Sequence, residues 1–379
     1  MSVIITFVAA VLIFGAVIAI HEFGHFSAAK LSGIQVNEYS IGMGPALFKK
    51  IVGSTQYTLR LLPIGGYVAM EGEGSPESNA AQREQDAAGG AGEAEEEDGL
   101  ESWNPIPPEQ RTGIPFPEAA IWKRAIVMAA GPLMNFVLGF AVLLGLIALR
   151  SDPIASRVIY SIADGALCGQ TGLQAGDEIV AVNGRRCFIA NDILYELVRT
   201  QNTRADFTVR RDGRLVQLPG VQFDTYTDEG GNTRMNIGFT VYALEKTPAN
   251  VLKETFNSEL YYSRIFFTSL VDLLRGRESI NNLSGPVGIV SAISQAASYG
   301  LTDVLELLVL ITVNLGVFNL LPVPALDGGR LVFLAVEAVI RRPVSERVQE
   351  SLTLATFILL FGLMIFATYN DVLRLITGA

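Results

Sequence analysis

The chain has 379 residues, half of them hydrophobic and only 17% charged, a balance that belongs to membrane proteins. Its net charge of −10 is local: residues 71–101 hold eleven acids against one base, which gives −10 and leaves the rest close to neutral. A nucleic-acid binder, which needs a basic face, is excluded.

In chain order, residues 3–20 come first, VIITFVAAVLIFGAVIAI, with one threonine and no charge. At the helical rise they cover roughly 27 Å, about the hydrocarbon thickness. A signal peptide does not fit, because the positive leading segment is missing and a histidine motif stands where a cleavage site would be. Three more apolar segments are expected to span: about 122–149, about 304–325 and about 351–369. The tract at 71–101 is too acidic and too rich in Gly and Ala to bury a core, and is expected to be a disordered linker. Cys168 and Cys187 are the only cysteines. They form no zinc-ribbon spacing and are either a bridge or two small core residues.

Lys and Arg set the direction of the spans. None precedes Lys30, whereas Lys30, Lys49, Lys50, Arg60, Arg83, Arg111, Lys123 and Arg124 follow the first span. Arg330, Arg341, Arg342 and Arg347 follow the third. Both loops are therefore expected in the cytoplasm, with both termini and the long segment from 150 to about 300 outside. No transit peptide precedes the first span, which points to a bacterial plasma membrane.

The first span ends in HEFGH, residues 21–25, and His21 and His25 are the only histidines in the chain. On a helix they stand four apart on one face with Glu22 beside them. That spacing lets two imidazoles hold one zinc while a glutamate activates water. The alternative, two satisfied histidines at a helix end, is weakened because ionisable residues at membrane depth default to function. A catalytic zinc takes a third protein ligand. With no further histidine and with distant cysteines, it must be a carboxylate. Asp327, in NLLPVPALDGGR at the inward end of the third span, lies at matching depth; Glu306 is at the opposite end and Glu38 is in a loop. Pro322 and Pro324 break that helix, and Gly328–Gly329 are expected to let the backbone turn Asp327 toward the metal. A helix cap is the other reading of Asp327.

Asn135, inside the second span, is an amide that would be costly unpaired. It binds a stretched substrate backbone or the reaction oxyanion, or else cross-links spans two and three, where Asn314 and Asn319 sit. Asn282 is a second candidate for the substrate-binding role. Residues 55–69, TQYTLRLLPIGGYVA, are β-rich around a Pro/Gly turn. An exposed edge there, at Gly65 and Gly66, would hold an extended substrate by strand addition; an ordinary cytoplasmic hairpin is the alternative. Residues 250–280 read as amphipathic and are expected on the outer membrane surface.

Taken together, these motifs resemble the site-two protease family of intramembrane zinc metalloproteases, in its bacterial PDZ-containing branch. HEFGH is similar to the family HExxH, NLLPVPALDGG to its Asn-Pro-Pro-Leu-Asp-Gly element, and AAGPLMNFVLG to its G-x-x-x-N element at Gly131 and Asn135. LLPIGGYVAMEGE, NNLSGPVGIV and PVSERVQ carry the likeness to that branch. The resemblance implies His21, His25 and Asp327 as zinc ligands and Glu22 as general base. It also implies a membrane-reentrant β-loop and a PDZ domain around TGLQAGDEIVAVNG, at about 153–224, with VQFDTYTDEGGNTRMNIGFTV as an added hairpin. Two features depart from the family's enterobacterial members: one PDZ domain in place of two, and the acidic insert, for which no role follows from the sequence.

The expected architecture is a four-helix membrane protein with a membrane-associated β-hairpin and one extracytoplasmic α/β PDZ domain. Its parts are the first span (1–30), the reentrant β-loop (31–70), the acidic linker (71–120), the second span (121–150), the PDZ domain with its hairpin (151–245), an amphipathic surface region (246–302), the third span with LDGG (303–340) and the fourth span (341–379). The expected activity is zinc-dependent cleavage of single-span membrane proteins, of anti-sigma-factor or signal-peptide type, already shortened outside by an upstream protease. Two other classes remain. A membrane scaffold acting through the PDZ domain would not need Glu22 and three ligands together. A transporter would show paired broken helices, and only one span is broken.

Overall fold

The computed structural model describes residues 3–73, 106–200, 203–228, 231 and 233–377. Of the expected linker (71–120), residues 74–105 lie outside the described residues, whereas 106–120 form two short turns, Pro108–Gln110 and Phe116–Glu118, with Ile106 and Ala119 buried, so that part is folded and not a linker. The chain divides into two compact units, residues 1–139 with 266–379, and residues 140–265.

The first unit is built on apolar helices. Among the described residues, four helices are long and apolar enough to cross a membrane: Thr6–Leu31 within the helix Val3–Leu31, then Ile121–Leu149, Leu301–Asn319 and Glu346–Thr377. A helix that is apolar all round has no water-facing stripe, so lipid is its natural surround. The first helix stops where Gly33 takes a left-handed conformation (φ +75°) and the Ile34 N–H returns to the Ala29 carbonyl at 2.9 Å. The third span, expected to run to about 325, ends at Asn319. Pro322 and Pro324 can donate no helical hydrogen bond. Residues 320–326 instead form a turn, and a new helix, Asp327–Ile340, starts on the aspartate itself.

The stretch 246–302, expected on the membrane surface, holds two different helices. Its first, Pro248–Leu274, carries the chain out of the second unit. The other, Pro286–Tyr299, packs among the spans: Ile293 is fully buried with Ile13 and Val17 of the first span, and Thr6 donates to Ser294. Asp371 of the fourth span accepts from the N–H groups of Gly285 and Gly288 at the start of this short helix. Those N–H groups have no partner within the helix, and the carboxylate satisfies them.

Between the first two spans, β1 (Val36–Val52) and β2 (Thr55–Met70) are two long strands that fold back on themselves. Val36–Ile41 pairs with Gly66–Met70 on one side and with Gln56–Leu59 on the other, and Ala46–Val52 pairs with Thr55–Arg60. Two strands thus make a four-ribbon sheet in which Gly66–Met70 is an edge among the described residues. Phe26, Tyr39 and Tyr57 pack in tilted and edge-to-face contacts where the sheet meets the first helix, and Tyr39 donates to the Ala19 carbonyl.

In the second unit a six-stranded antiparallel sheet has the order β10-β3-β4-β6-β7, with β5 (Arg185–Arg186) beside β4. The path strands are β3 (Ile154–Ile162), β4 (Glu178–Val182), β6 (Arg204–Arg211), β7 (Arg214–Gln222) and β10 (Phe239–Leu244). A separate hairpin pairs β8 (Asp224–Thr227) with β9 (Thr233–Asn236). Phe207, Phe223, Leu173, Ile179 and Leu197 fill the core, and the helix Ala190–Val198 covers it. Asp177, almost fully buried, is held by Arg211 through two contacts of 2.7 Å. Cys168 and Cys187 are free buried thiols, so they are core residues and not a bridge.

The helix Pro248–Leu274 places Arg264 on the buried Asp192 carboxylate and on the Arg186 carbonyl. Burial raises Glu254, with help from the Asp192 charge, and raises Glu259, each to about 7. Both carboxyls therefore hold a proton in the folded chain that the unfolded chain releases near its ordinary 4.5. Their contribution to stability is full below that value and is lost as pH rises through about 7. The thermal midpoint is expected to fall between about pH 5 and about pH 8, and the Glu254→Gln/Glu259→Gln double variant to lose most of that slope. An unchanged slope in the double variant would contradict this.

Candidate metal centre

His21 and His25 sit one turn apart near the end of the first span, both buried. Asp327 reaches them from the start of its own helix. Among the described residues, these three form the one group of His, Cys, Asp or Glu whose donor atoms converge. The two Nε2 atoms are 3.2 Å apart, and Asp327 Oδ2 lies 3.3 Å from His21 Nε2 and 3.4 Å from His25 Nε2. Tetrahedral zinc with bonds of about 2.0–2.1 Å sets neighbouring ligand atoms about 3.3 Å apart. The triangle therefore has the size that one zinc ion requires, and it leaves a fourth position open.

The tautomers fit as well. His25 Nδ1 is 2.8 Å from the Val127 carbonyl, which can only accept, so Nδ1 carries the proton and Nε2 keeps a lone pair for a metal. His21 Nδ1 lies 3.2 Å from the side-chain amide of Asn135, whose Oδ1 is buried without a hydrogen-bond partner. A half-turn of the amide lets Oδ1 accept from a protonated His21 Nδ1, which satisfies the orphaned oxygen and frees Nε2 for a metal. Asn135 thus touches a histidine, and its backbone carbonyl accepts from Thr312 of the third span.

Close approach of the second span depends on missing side chains. A Cβ on Gly24 would fall 2.3 Å from the Ala130 carbonyl oxygen, and one on Gly131 would fall 2.2 Å from His25 Nε2. The glycines after Asp327 work the same way. Gly328 and Gly329 are expected to act through backbone freedom, yet neither takes a positive φ. A Cβ on either would instead strike the carbonyl oxygens of Leu321 or Val323 at 2.2 Å. Their lack of a side chain lets the new helix start tight against the turn. An ion pair between Arg124 and Glu337 ties the second span to that helix.

Glu22, next to His21, faces the edge ribbon: a Cβ on Gly66 would fall 3.0 Å from Glu22 Cγ and 3.3 Å from Ile18 Cγ2. Gly65 (φ +84°) lies at the preceding bend, where a Cβ would meet Met43 at 2.9 Å. Asn282 closes the short turn Ile280–Asn282 through its backbone, and its side chain lies outside the described residues. Val127, Thr312 and Gly24 escape sequence reasoning. A backbone carbonyl has no residue signature, and Gly24 sits inside a motif read only for its histidines.

The sequence matches peptidase family M50 over residues 9–363. It is 30% identical over 423 residues to the regulator of sigma-W protease RasP of Bacillus subtilis (strain 168), covering 98% of this chain and 99% of that protein. It is 32% identical over 367 residues to the "Putative zinc metalloprotease CPE1693" of Clostridium perfringens (strain 13 / Type A), covering 96% and 97%. The four apolar helices and this match make it an integral membrane protein. The chain belongs to peptidase family M50 and is a zinc metalloprotease.

Proposed function

We propose that the chain cuts single-span membrane proteins within or beside the bilayer, with zinc on His21, His25 and Asp327 and with Glu22 as general base. The observation that carries this reading is the triangle of donor atoms 3.2–3.4 Å on a side at the end of an apolar helix. Bound there, zinc supplies Lewis acidity, which polarises a peptide carbonyl and makes water a stronger nucleophile. Glu22 takes the proton of the attacking water and delivers it to the leaving amine. Gly66 lies against Glu22, so a substrate strand added to the edge Gly66–Met70 passes beside the base. Strand addition also answers the main obstacle: a helical peptide bond is shielded until the segment is extended.

The direction of the spans is inferred from the Lys/Arg loops, which places the metal centre near the cytoplasmic side of a bacterial plasma membrane and both termini outside. In this reading the second unit is a PDZ domain outside the membrane. Its β10 is a sheet edge among the described residues, and a cavity of about 490 Å³ lined by Ser161, Tyr226, Met235 and Phe239 lies beside it. Such an edge takes an extended chain end by strand pairing. The substrate class follows: a membrane protein of anti-sigma-factor or signal-peptide type, shortened outside by another protease. The name RasP carries the regulation of sigma-W by proteolysis for that relative alone.

The test is cleavage in liposomes of one apolar span carrying either a short outer tail or a folded outer domain. The short form is expected to be cut inside or at the end of its apolar segment. The long form is expected to be cut at least about tenfold more slowly, about 1.4 kcal/mol in the barrier. Equal cleavage of both would remove the role of the outer unit. Cleavage of soluble unfolded protein with none of the span would overturn the substrate class.

A further inference from the structure

The face of the folded sheet turned away from Glu22 carries a polar cluster, buried at Glu38 and Ser40 and open at Tyr67, that neither the metal centre nor the membrane fold accounts for. Arg60 is its hub. Its guanidinium donates to Ser40 Oγ at 2.9 Å, Gly44 O at 3.0 Å, Glu38 Oε1 at 3.2 Å and Tyr67 Oη at 2.7 Å. The Tyr67 hydroxyl in turn donates to Glu38 Oε2 at 2.7 Å. Burial and the Glu38 carboxylate push the Tyr67 phenol up to about 12, so it stays a donor. One cation thereby joins the ribbon Val36–Ile41, the bend after it, and the edge ribbon Gly66–Met70.

The edge ribbon alternates, as strands do. Gly66 faces Glu22 on one side, and Tyr67, the next residue, points to the cluster on the other. A strand held only by backbone pairing can slip, and a slip of two residues keeps every side chain on its face. The ladder to the edge ribbon keeps one register only over four pairs, Glu38↔Ala69 to Ile41↔Gly66, with a shift before it at Val36, so backbone pairing alone is a short pin. Three charge-assisted bonds among Glu38, Arg60 and Tyr67 have one geometry only, and they hold residue 67, and with it residue 66, at one place.

Resting on the reading of Glu22 as base and of this edge as the substrate's partner, we infer that Glu38, Arg60 and Tyr67 are positioning residues that fix which substrate peptide bond is cut. They touch neither the metal ligands nor the scissile bond. They set the register of the edge strand, and a substrate strand added to that edge inherits it.

The experiment compares wild type with Tyr67→Phe and Arg60→Lys on one single-span model polypeptide, with products weighed by mass spectrometry and zinc content measured on each. The expected result is full zinc in all three, one principal cut in wild type, and added cuts two residues away in the variants. Losing one such hydrogen bond shifts the ratio of registers by about two- to tenfold. In a second arm, Glu22→Gln stops turnover and Val68→Cys on the edge is oxidatively cross-linked to single cysteines placed along the substrate. One substrate position is expected to react with Tyr67 present, and several positions two apart with Tyr67→Phe. This arm needs no catalysis, so a failure of the Glu22 reading leaves it intact. A single unchanged cut together with a single unchanged cross-link in both variants would overturn the inference. So would a fall in cleavage rate with the cut and cross-link positions unmoved, which would make the cluster merely structural.

Discussion

Gly131→Ala is expected to leave the protein without its zinc. The added methyl would stand 2.2 Å from His25 Nε2 and 2.7 Å from both ring carbons next to it. Real atoms do not approach so closely, so either the ring or the second span must move. The ring is not free to turn, because its Nδ1 is bound to the carbonyl of Val127, one turn earlier in the same helix as Gly131. Moving the helix separates Asn135 from His21 as well. Loss of a metal ligand's supporting contacts alone lowers metal affinity by about 10–100-fold, and here the ligand atom itself is displaced. Gly145→Ala in the same helix is the control, since a Cβ there meets nothing within 4 Å. Alanine is the better helix former by about 1 kcal/mol, so this second variant should fold at least as well and keep its zinc. Metal analysis of the two purified variants separates a packing effect at His25 from a general intolerance of the span. Full zinc in Gly131→Ala would show that the two helices do not meet as described.

This dependence on a missing methyl group marks where the sequence stops being readable. The i, i+4 spacing of His21 and His25 is a covalent fact of helix geometry, so the pair is legible without any structure. Asp327 is legible by depth, because the first and third spans run in the same direction and bring their ends to the same membrane level. What lies between the helices is not. A span that is apolar on every side carries no stripe to say which face meets protein and which meets lipid, since the two surroundings are equally apolar. The tight approaches at Gly24, Gly131 and Gly328 therefore leave no periodic trace. For the same reason the helix Pro286–Tyr299 reads as a surface element although Ile293 is fully buried. The sheet gives a different lesson. Its β-rich composition is plain over residues 55–69, but the long folded ribbon brings Arg60 onto Glu38 and Gly44, 22 and 16 residues earlier, and onto Tyr67 in the edge ribbon. Local patterning does not encode such a contact.

Glu22→Gln is expected to carry the largest loss of activity with the smallest change in structure. The amide has the size of the carboxylate and sits in the same space against Gly66. It can still donate and accept hydrogen bonds, but it cannot take a proton from water at neutral pH. Removing a general base lowers a rate by about 10²–10⁴-fold. Zinc should stay, because the donor triangle is made by His21, His25 and Asp327 without Glu22. That combination separates Glu22 from its neighbours. His21→Ala or Asp327→Ala should lose metal and activity together, while Glu22→Gln should lose activity alone. The decisive measurement is zinc content and cleavage rate of a single-span substrate, side by side, on wild type and Glu22→Gln in the same detergent. The expected result is one zinc per chain in both, with cleavage in wild type only; cleavage by Glu22→Gln at the wild-type rate, or by wild type stripped of zinc, would contradict it.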